Sequence, residues 1–241
     1  MSIASLAFVC VFLAIFVGAA VQGSVGLGLS LITVPVGAIV APGTVPGVFI
    51  MAGLPLSMLV MTRERTSIDW RTVLPITLGR IPGAIAGTAV VAITTDRSIA
   101  LAAGMIVLIG AFATARAPHI RRGTAAAVVA GSIAGLTGTA AGIDGPPMAL
   151  YLQSAPHRVL RATLAACFVI GTAVSIPPLA ITGHIHPWQV KVAACLIPAV
   201  ILGHFVANRF LIQHVAARSR TLVLVVATAA GMTAIIRTLW F

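Results

Sequence analysis

Apolar residues run along this chain in long blocks separated by glycine, proline or charge, not by regularly spaced polar positions. The blocks fall at 3–21, 25–41, 45–62, 72–93 and 98–115, then at 124–141, 145–155, 159–182, 188–207 and 219–241. A helix that spans a bilayer needs about 20 apolar residues, and several blocks reach that length. None shows the period-2 alternation of a β-barrel strand. In hydrocarbon every backbone polar group must be paired internally, which a helix does within one segment. The pattern therefore predicts an all-α integral membrane protein with roughly 8–10 membrane segments.

The ten blocks form two sets of five, and the sets resemble each other. Val25-Gly26-Leu27 aligns with Ala141-Gly142-Ile143. Leu74-Pro75-Ile76-Thr77-Leu78-Gly79-Arg80 resembles Ile197-Pro198-Ala199-Val200-Ile201-Leu202-Gly203-His204 with one residue inserted. The reading is one membrane domain of two repeats, 1–118 and 119–241, joined through Arg116–Gly123. If the first two segments of each half form a hairpin, loops 63–71, 116–123, 156–161 and 208–220 share one face. They hold Arg63, Arg65, Arg71, Arg116, Arg121, Arg122, Arg158, Arg161, Arg209, Arg218 and Arg220. The other face receives Arg97, Lys191 and Arg237. Basic loops stay in the cytoplasm, so the first face is cytoplasmic and the protein is a multi-pass resident of the cell inner (cytoplasmic) membrane. The halves then start on opposite sides, which makes the repeats inverted. That architecture places a transport site at the repeat interface.

Composition sharpens this picture. Of 241 residues, 59% are hydrophobic and 8% charged, where a soluble domain carries about 25% charged. The net charge of +11 invites a nucleic-acid reading. Its basic residues lie singly or in pairs in short loops, without a basic helix to track phosphates. Cys10, Cys167 and Cys195 all sit inside apolar runs and read as small core residues. Met1–Ala7 lacks the positive charge of a secretory leader, so the first segment is expected to remain in the mature chain.

Two glycine-rich interruptions carry the candidate chemistry. The first is Gln22-Gly23-Ser24-Val25-Gly26-Leu27-Gly28-Leu29-Ser30. Its glycines let backbone approach a ligand, and the helix that follows aims free N–H groups and a positive dipole end at the break. Tight packing through small residues is the plainer alternative. The second lies at the matching place and includes Thr137, Gly138, Thr139, Gly142, Asp144, Gly145, Pro146 and Pro147. Proline suits a helix start, and only about half a membrane of apolar sequence follows, so a re-entrant or broken helix is expected. Asp144 is one of four acids, with Glu64, Asp69 and Asp96 in loops. An ionisable group at membrane depth is a functional candidate, here for proton coupling. Capping of the helix that begins at Gly145 is the alternative. Arg80 lies mid-segment, with His204 as its counterpart. It either snorkels to an interface or faces inward, where it needs an anionic partner, and Asp144 is the candidate.

His184 and His186 form a His-x-His in a short outer loop without neighbouring acid or cysteine, a poor metal site. Four acids do not assemble a paired-carboxylate or Ser-His-Asp arrangement, and no Walker lysine motif is present.

At this point the chain resembles a known family. The glycine-rich helix starts in both halves, Gly142-Ile143-Asp144-Gly145-Pro146-Pro147 and Arg161-Ala162-Thr163 are similar to those of the sulfite exporter TauE/SafE family, over nearly the whole chain. The family usually carries glycine where Asp144 stands. The resemblance implies transport of sulfite, sulfonates or related organic anions, often with proton-linked movement.

The sequence thus points to a secondary transporter of a small anion. An intramembrane enzyme using Asp144 and a histidine, or a passive anion channel, are the alternatives. The expected substrate-binding residues are Gln22, Gly23, Ser24, Gly26, Gly28, Ser30, Arg80, Thr137, Gly138, Thr139, Gly142, Gly145, Pro146 and His204. The expected partners are a small anion, membrane lipid, protons as coupling ion and a second copy in a homodimer. Neither cofactor, metal nor nucleic acid is expected.

Overall fold

A computed structural model describes residues 3–116, 122–206, 209, 228, 229, 231–233, 235 and 236. His119, Arg121, His214, Arg218, Arg220 and Arg237 lie outside the described residues, as does most of the expected tenth segment. The described residues form α1 (Ile3–Val25), α2 (Leu29–Val40), α3 (Gly47–Arg63), α4 (Trp70–Ile93) and α5 (Asp96–Arg116). The chain continues with α6 (Thr124–Ala141), α7 (Gly145–Leu152), α8 (His157–Ile181) and α9 (Pro187–Val206). Short 3-10 turns at Pro42–Thr44 and Arg65–Ser67 join α2 to α3 and α3 to α4. No strand occurs among the described residues, and the protein is an all-α membrane protein as its apolar blocks require.

Five of these helices, α1, α4, α6, α8 and α9, are long and apolar enough to cross a bilayer. At 1.5 Å per residue, the 12 residues of α2 and the 8 of α7 reach only about 18 and 12 Å of a roughly 30 Å core. The physical cause is at their starts. Gly26 (φ 95°) and Gly142 (φ 75°) adopt left-handed backbone that stops α1 and α6. The Gly142 N–H closes on the Gly138 carbonyl, and the Ile143 N–H reaches back to that of Thr137. Pro146 and Pro147 then start α7 at no cost in hydrogen bonds.

Exposure separates an inner set of helices from an outer one. Large apolar side chains of α1 (Leu6, Leu13), α4 (Leu74, Ile85), α5 (Ile109, Phe112), α6 (Val129, Ile133) and α9 (Leu202, Phe205) face outward. On α2 and α7 no large apolar side chain is exposed. The outer helices are fastened by small residues. Methyl groups added at Gly79 and Gly83 of α4 would collide with the carbonyls of Val128 and Ser132. Added at Gly131 and Gly135 of α6, they would collide with those of Ile76 and Arg80. Backbone therefore lies on backbone along this seam, the small-xxx-small mode of membrane packing. Gly203 brings α9 against the Phe16 carbonyl of α1 in the same manner.

Side-chain bonds collect the loops at two ends. At one end Thr163 accepts the Asp69 N–H at 3.0 Å and Tyr151 donates to the Gly123 carbonyl at 3.4 Å. At the other, Gln189 donates to the Gly43 carbonyl at 2.9 Å. The first end carries Arg63, Arg65, Arg71, Arg122, Arg158 and Arg161, and is called the basic end below.

Candidate functional site

Two apolar clusters meet at the centre, one built mainly on α1, α2, α3 and α9 and the other on α4, α6, α7 and α8. A cavity lies where they meet, with Leu29 and Phe49 on one side and Phe168 on the other. Its polar lining comes from both helix breaks (Gln22, Ser30 and Asp144), from Arg80 of α4, and from Ser57 of α3 and Thr172 of α8. Its volume is about 40 Å³. One water needs roughly 10–15 Å³ on this measure. A few waters or one compact anion fit.

Arg80 is 3% exposed and donates from Nη2 to Oδ2 of Asp144 at 2.5 Å. The Asp144 side chain makes no capping bond to α7, so the capping alternative is set aside by its turn toward α4. The arginine is only partly satisfied. Nη1 faces the Met148 sulfur at 3.9 Å, a weak acceptor, and buried Nε has no hydrogen-bond partner among the described residues. Gly171 of α8 makes the seat, because a methyl group there would overlap the guanidinium carbon and two of its nitrogens. Snorkelling is thereby overturned for Arg80, since its head is buried at mid-helix instead of reaching an interface.

The remaining expected residues divide by position. Gly138 lines the cavity beside Arg80 Nη2. Gln22 accepts the Leu29 N–H through Oε1 at 3.2 Å and so caps the first turn of α2. Ser24 and Thr137 spend their hydroxyls on carbonyls of their own helices, Ala20 and Ile133, at 3.1 and 3.0 Å. Thr139 donates to Ser175 Oγ at 2.8 Å, away from the cavity. Gly28 packs on Val21, Gly145 on Leu27 and Phe168, and Pro146 on Gly110. His204 is buried near the basic end, where Arg63 Nη1 approaches its Nε2 within 3.5 Å. It does not join Arg80.

Two residues assigned to loops prove to be partly buried and paired with each other. Arg161 and Glu64 are 11% and 15% exposed and form a two-point ion pair. Arg161 also donates to the Gly23 carbonyl at 2.7 Å, and Gly26 rests on its side-chain stem. The signal was present in the sequence. Pro156 starts a helix, so Arg161 falls one turn inside α8 and not in the connection before it. Phe168, Thr172 and Ser57 at the cavity and Gly171 under Arg80 were likewise missed, because nothing in an apolar helix marks which face turns inward.

Among solved structures no match was found. The chain is 26% identical over 194 residues to the probable sulfite/organosulfonate exporter TauE of Cupriavidus necator, covering 77% of this chain and 76% of that relative. The family model described as sulfite exporter TauE/SafE matches residues 10–234, a stretch that contains both helix breaks, Arg80 and Arg161. With nearly its whole length matched, this chain belongs to the sulfite exporter TauE/SafE family.

Proposed function

We propose that the protein is a secondary transporter that carries sulfite, a compact organosulfonate or a related small anion across the cytoplasmic membrane, with Arg80 as its binding centre. The observation that carries this reading is the buried, incompletely bonded guanidinium beside a cavity reached by both helix breaks. An unpartnered buried donor costs roughly 1–3 kcal/mol. An anion with two or three oxygens recovers that cost, and a planar fork suits such a group. The positive end of α2 faces the same space through Leu29 and Ser30.

Asp144 is the competitor in the empty site. A bound anion takes Nη2 from it, and a carboxylate stripped of its cation in a desolvated place is stabilised by a proton. Anion entry and proton uptake are thereby joined, which gives Asp144 its coupling role. The same commitment to Arg80 argues against an intramembrane hydrolase, which needs a free base.

Support for two inverted repeats comes from the packing. Exchanging α1 for α6, α2 for α7, α3 for α8 and α4 for α9 turns the α4–α6 seam into the α9–α1 seam and leaves α3 against α8. Such repeats suit alternating access around a fixed site. The arginine-rich end is read as cytoplasmic.

The test is flux in proteoliposomes with sulfite, sulfate, methanesulfonate and acetate, with and without a pH gradient. Saturable flux of one or more sulfur oxyanions, enhanced by the gradient, is expected. Arg80→Lys keeps the charge but loses the fork and should weaken apparent affinity about tenfold. Linear, non-saturating flux, or affinity unchanged in Arg80→Lys, overturns the reading.

A further inference from the structure

The central cavity does not end at the Arg80 site. A second, smaller space lies on its basic-end side, lined by Gln22, Gly26, Ser57, Val60, Arg161 and Phe168. Gln22, Ser57 and Phe168 line both spaces, so these three side chains are the partition between them. Beyond the partition stands Arg161, a second guanidinium, partly buried and held by Glu64.

The two charged pairs are built alike. In each, an arginine within a membrane helix meets a carboxylate from the end of another element: Arg80 with Asp144 after α6, Arg161 with Glu64 after α3. Each arginine borders a cavity and each lies against a helix break, Arg80 beside Gly138 and Arg161 beneath Gly26. Arg161 belongs to α8 and Glu64 to the turn that follows α3, so the pair pins these two helices together at the basic end.

We infer that Arg161 is a second anion station on the route from Arg80 to the basic end, and that Glu64 is the gate that occupies it when the route is closed. This rests on the Arg80 reading for the starting point of the route. An anion leaving Arg80 passes the Gln22–Ser57–Phe168 partition and displaces Glu64 from Arg161. Loss of that pair frees the end of α3 from α8 and opens the passage. Glu64 thus repeats, at the exit, the competition that Asp144 provides at the centre. The bond from Arg161 to the Gly23 carbonyl links the exit to the first break, so anion arrival at Arg161 is felt where α1 ends.

The test reads access, not transport. Ser57→Cys is placed in a background lacking Cys10, Cys167 and Cys195, in the full chain, in nanodiscs with both ends accessible. Its labelling rate is measured with an anionic and a cationic methanethiosulfonate reagent of similar size. Glu64→Gln should speed the anionic reagent about tenfold and the cationic one much less, since the freed guanidinium attracts one and repels the other. Glu64→Asp keeps the charge and should label like the parent. Methanesulfonate should slow anionic labelling in Glu64→Gln. Equal acceleration of both reagents would reduce the pair to a structural clamp and overturn the station, and unchanged rates would overturn the gate. Each readout is independent of Arg80→Lys, whose failure to alter flux affinity would fall on the central site alone.

Discussion

The two helix breaks match in backbone and differ in charge. Both end a long helix at a left-handed glycine, Gly26 and Gly142, and both start a helix too short to cross. The second break carries its own carboxylate, Asp144, and receives Arg80 from α4. The first carries neither. Where Asp144 stands in the second half the first has Gly28, and where Arg80 stands on α4 the fourth helix of the second half has His204, turned toward Arg63. Its charge is borrowed from Arg161, and its helix start is capped by the neutral Gln22. A shared backbone plan thus holds one charged centre and one neutral wall.

The sharpest way to break this comparison is Arg80→Ala. Removing one partner of a buried pair typically costs 3–5 kcal/mol and leaves a stranded charge. Binding of methanesulfonate should be lost, by at least about a hundredfold, and the thermal midpoint in detergent should fall. Arg80→Ala with Asp144→Ala should recover much of the midpoint and none of the binding. Binding retained in either variant would move the centre away from α4.

Glycine replacement compares the breaks directly. Valine at Gly142 or Gly26 cannot relax into left-handed backbone without strain of roughly 1–2 kcal/mol. At Gly26 the side chain also meets the stem of Arg161. Both variants should insert but lose transport by about tenfold or more. Gly142→Val should weaken methanesulfonate binding more than Gly26→Val, because only the second break carries a member of the Arg80–Asp144 pair. The reverse order would make the first break the binding element.

A gentler probe is Asp144→Asn. Exchange of anion for anion should persist, while the response of net flux to a pH gradient disappears. An unchanged gradient response would assign coupling elsewhere. The smallest effect is expected from Gln22→Ala. The Leu29 N–H loses its side-chain acceptor, worth about 1 kcal/mol, so affinity should drop only about fivefold. A loss as large as that of Arg80→Ala would show that the wall is not neutral.

Much of this was legible in the sequence. Block edges gave helix edges closely because glycine and proline act locally: the block 124–141 is α6 itself, and 72–93 differs from α4 by two residues. The Arg80–Asp144 pairing was within reach because so few acids exist to satisfy a membrane arginine. What stayed hidden depends on distance in space. Ser24 and Thr137 look like ligands as letters, yet their hydroxyls turn back onto their own helices, which lipid surroundings favour. Arg161 and Glu64 looked solvated because charge beside a span usually is. Their burial follows from α3 and α8 lying side by side, which no local pattern encodes.

The glycine seam between α4 and α6 bears on which parts of the machine move. Sliding needs room between the backbones, and at Gly79, Gly83, Gly131 and Gly135 this seam has too little for even a methyl group. The two helices therefore behave as one girder. Arg80 is bolted to it, and Asp144 hangs three residues past its end. No hinge or rocking motion of α4 against α6 separates that pair. On the proposed mechanism it parts by a swing of side chains or of α7, driven by the arriving anion. On the proposed mechanism the larger motion falls to α3 and α8, which the Arg161–Glu64 pair joins at the basic end.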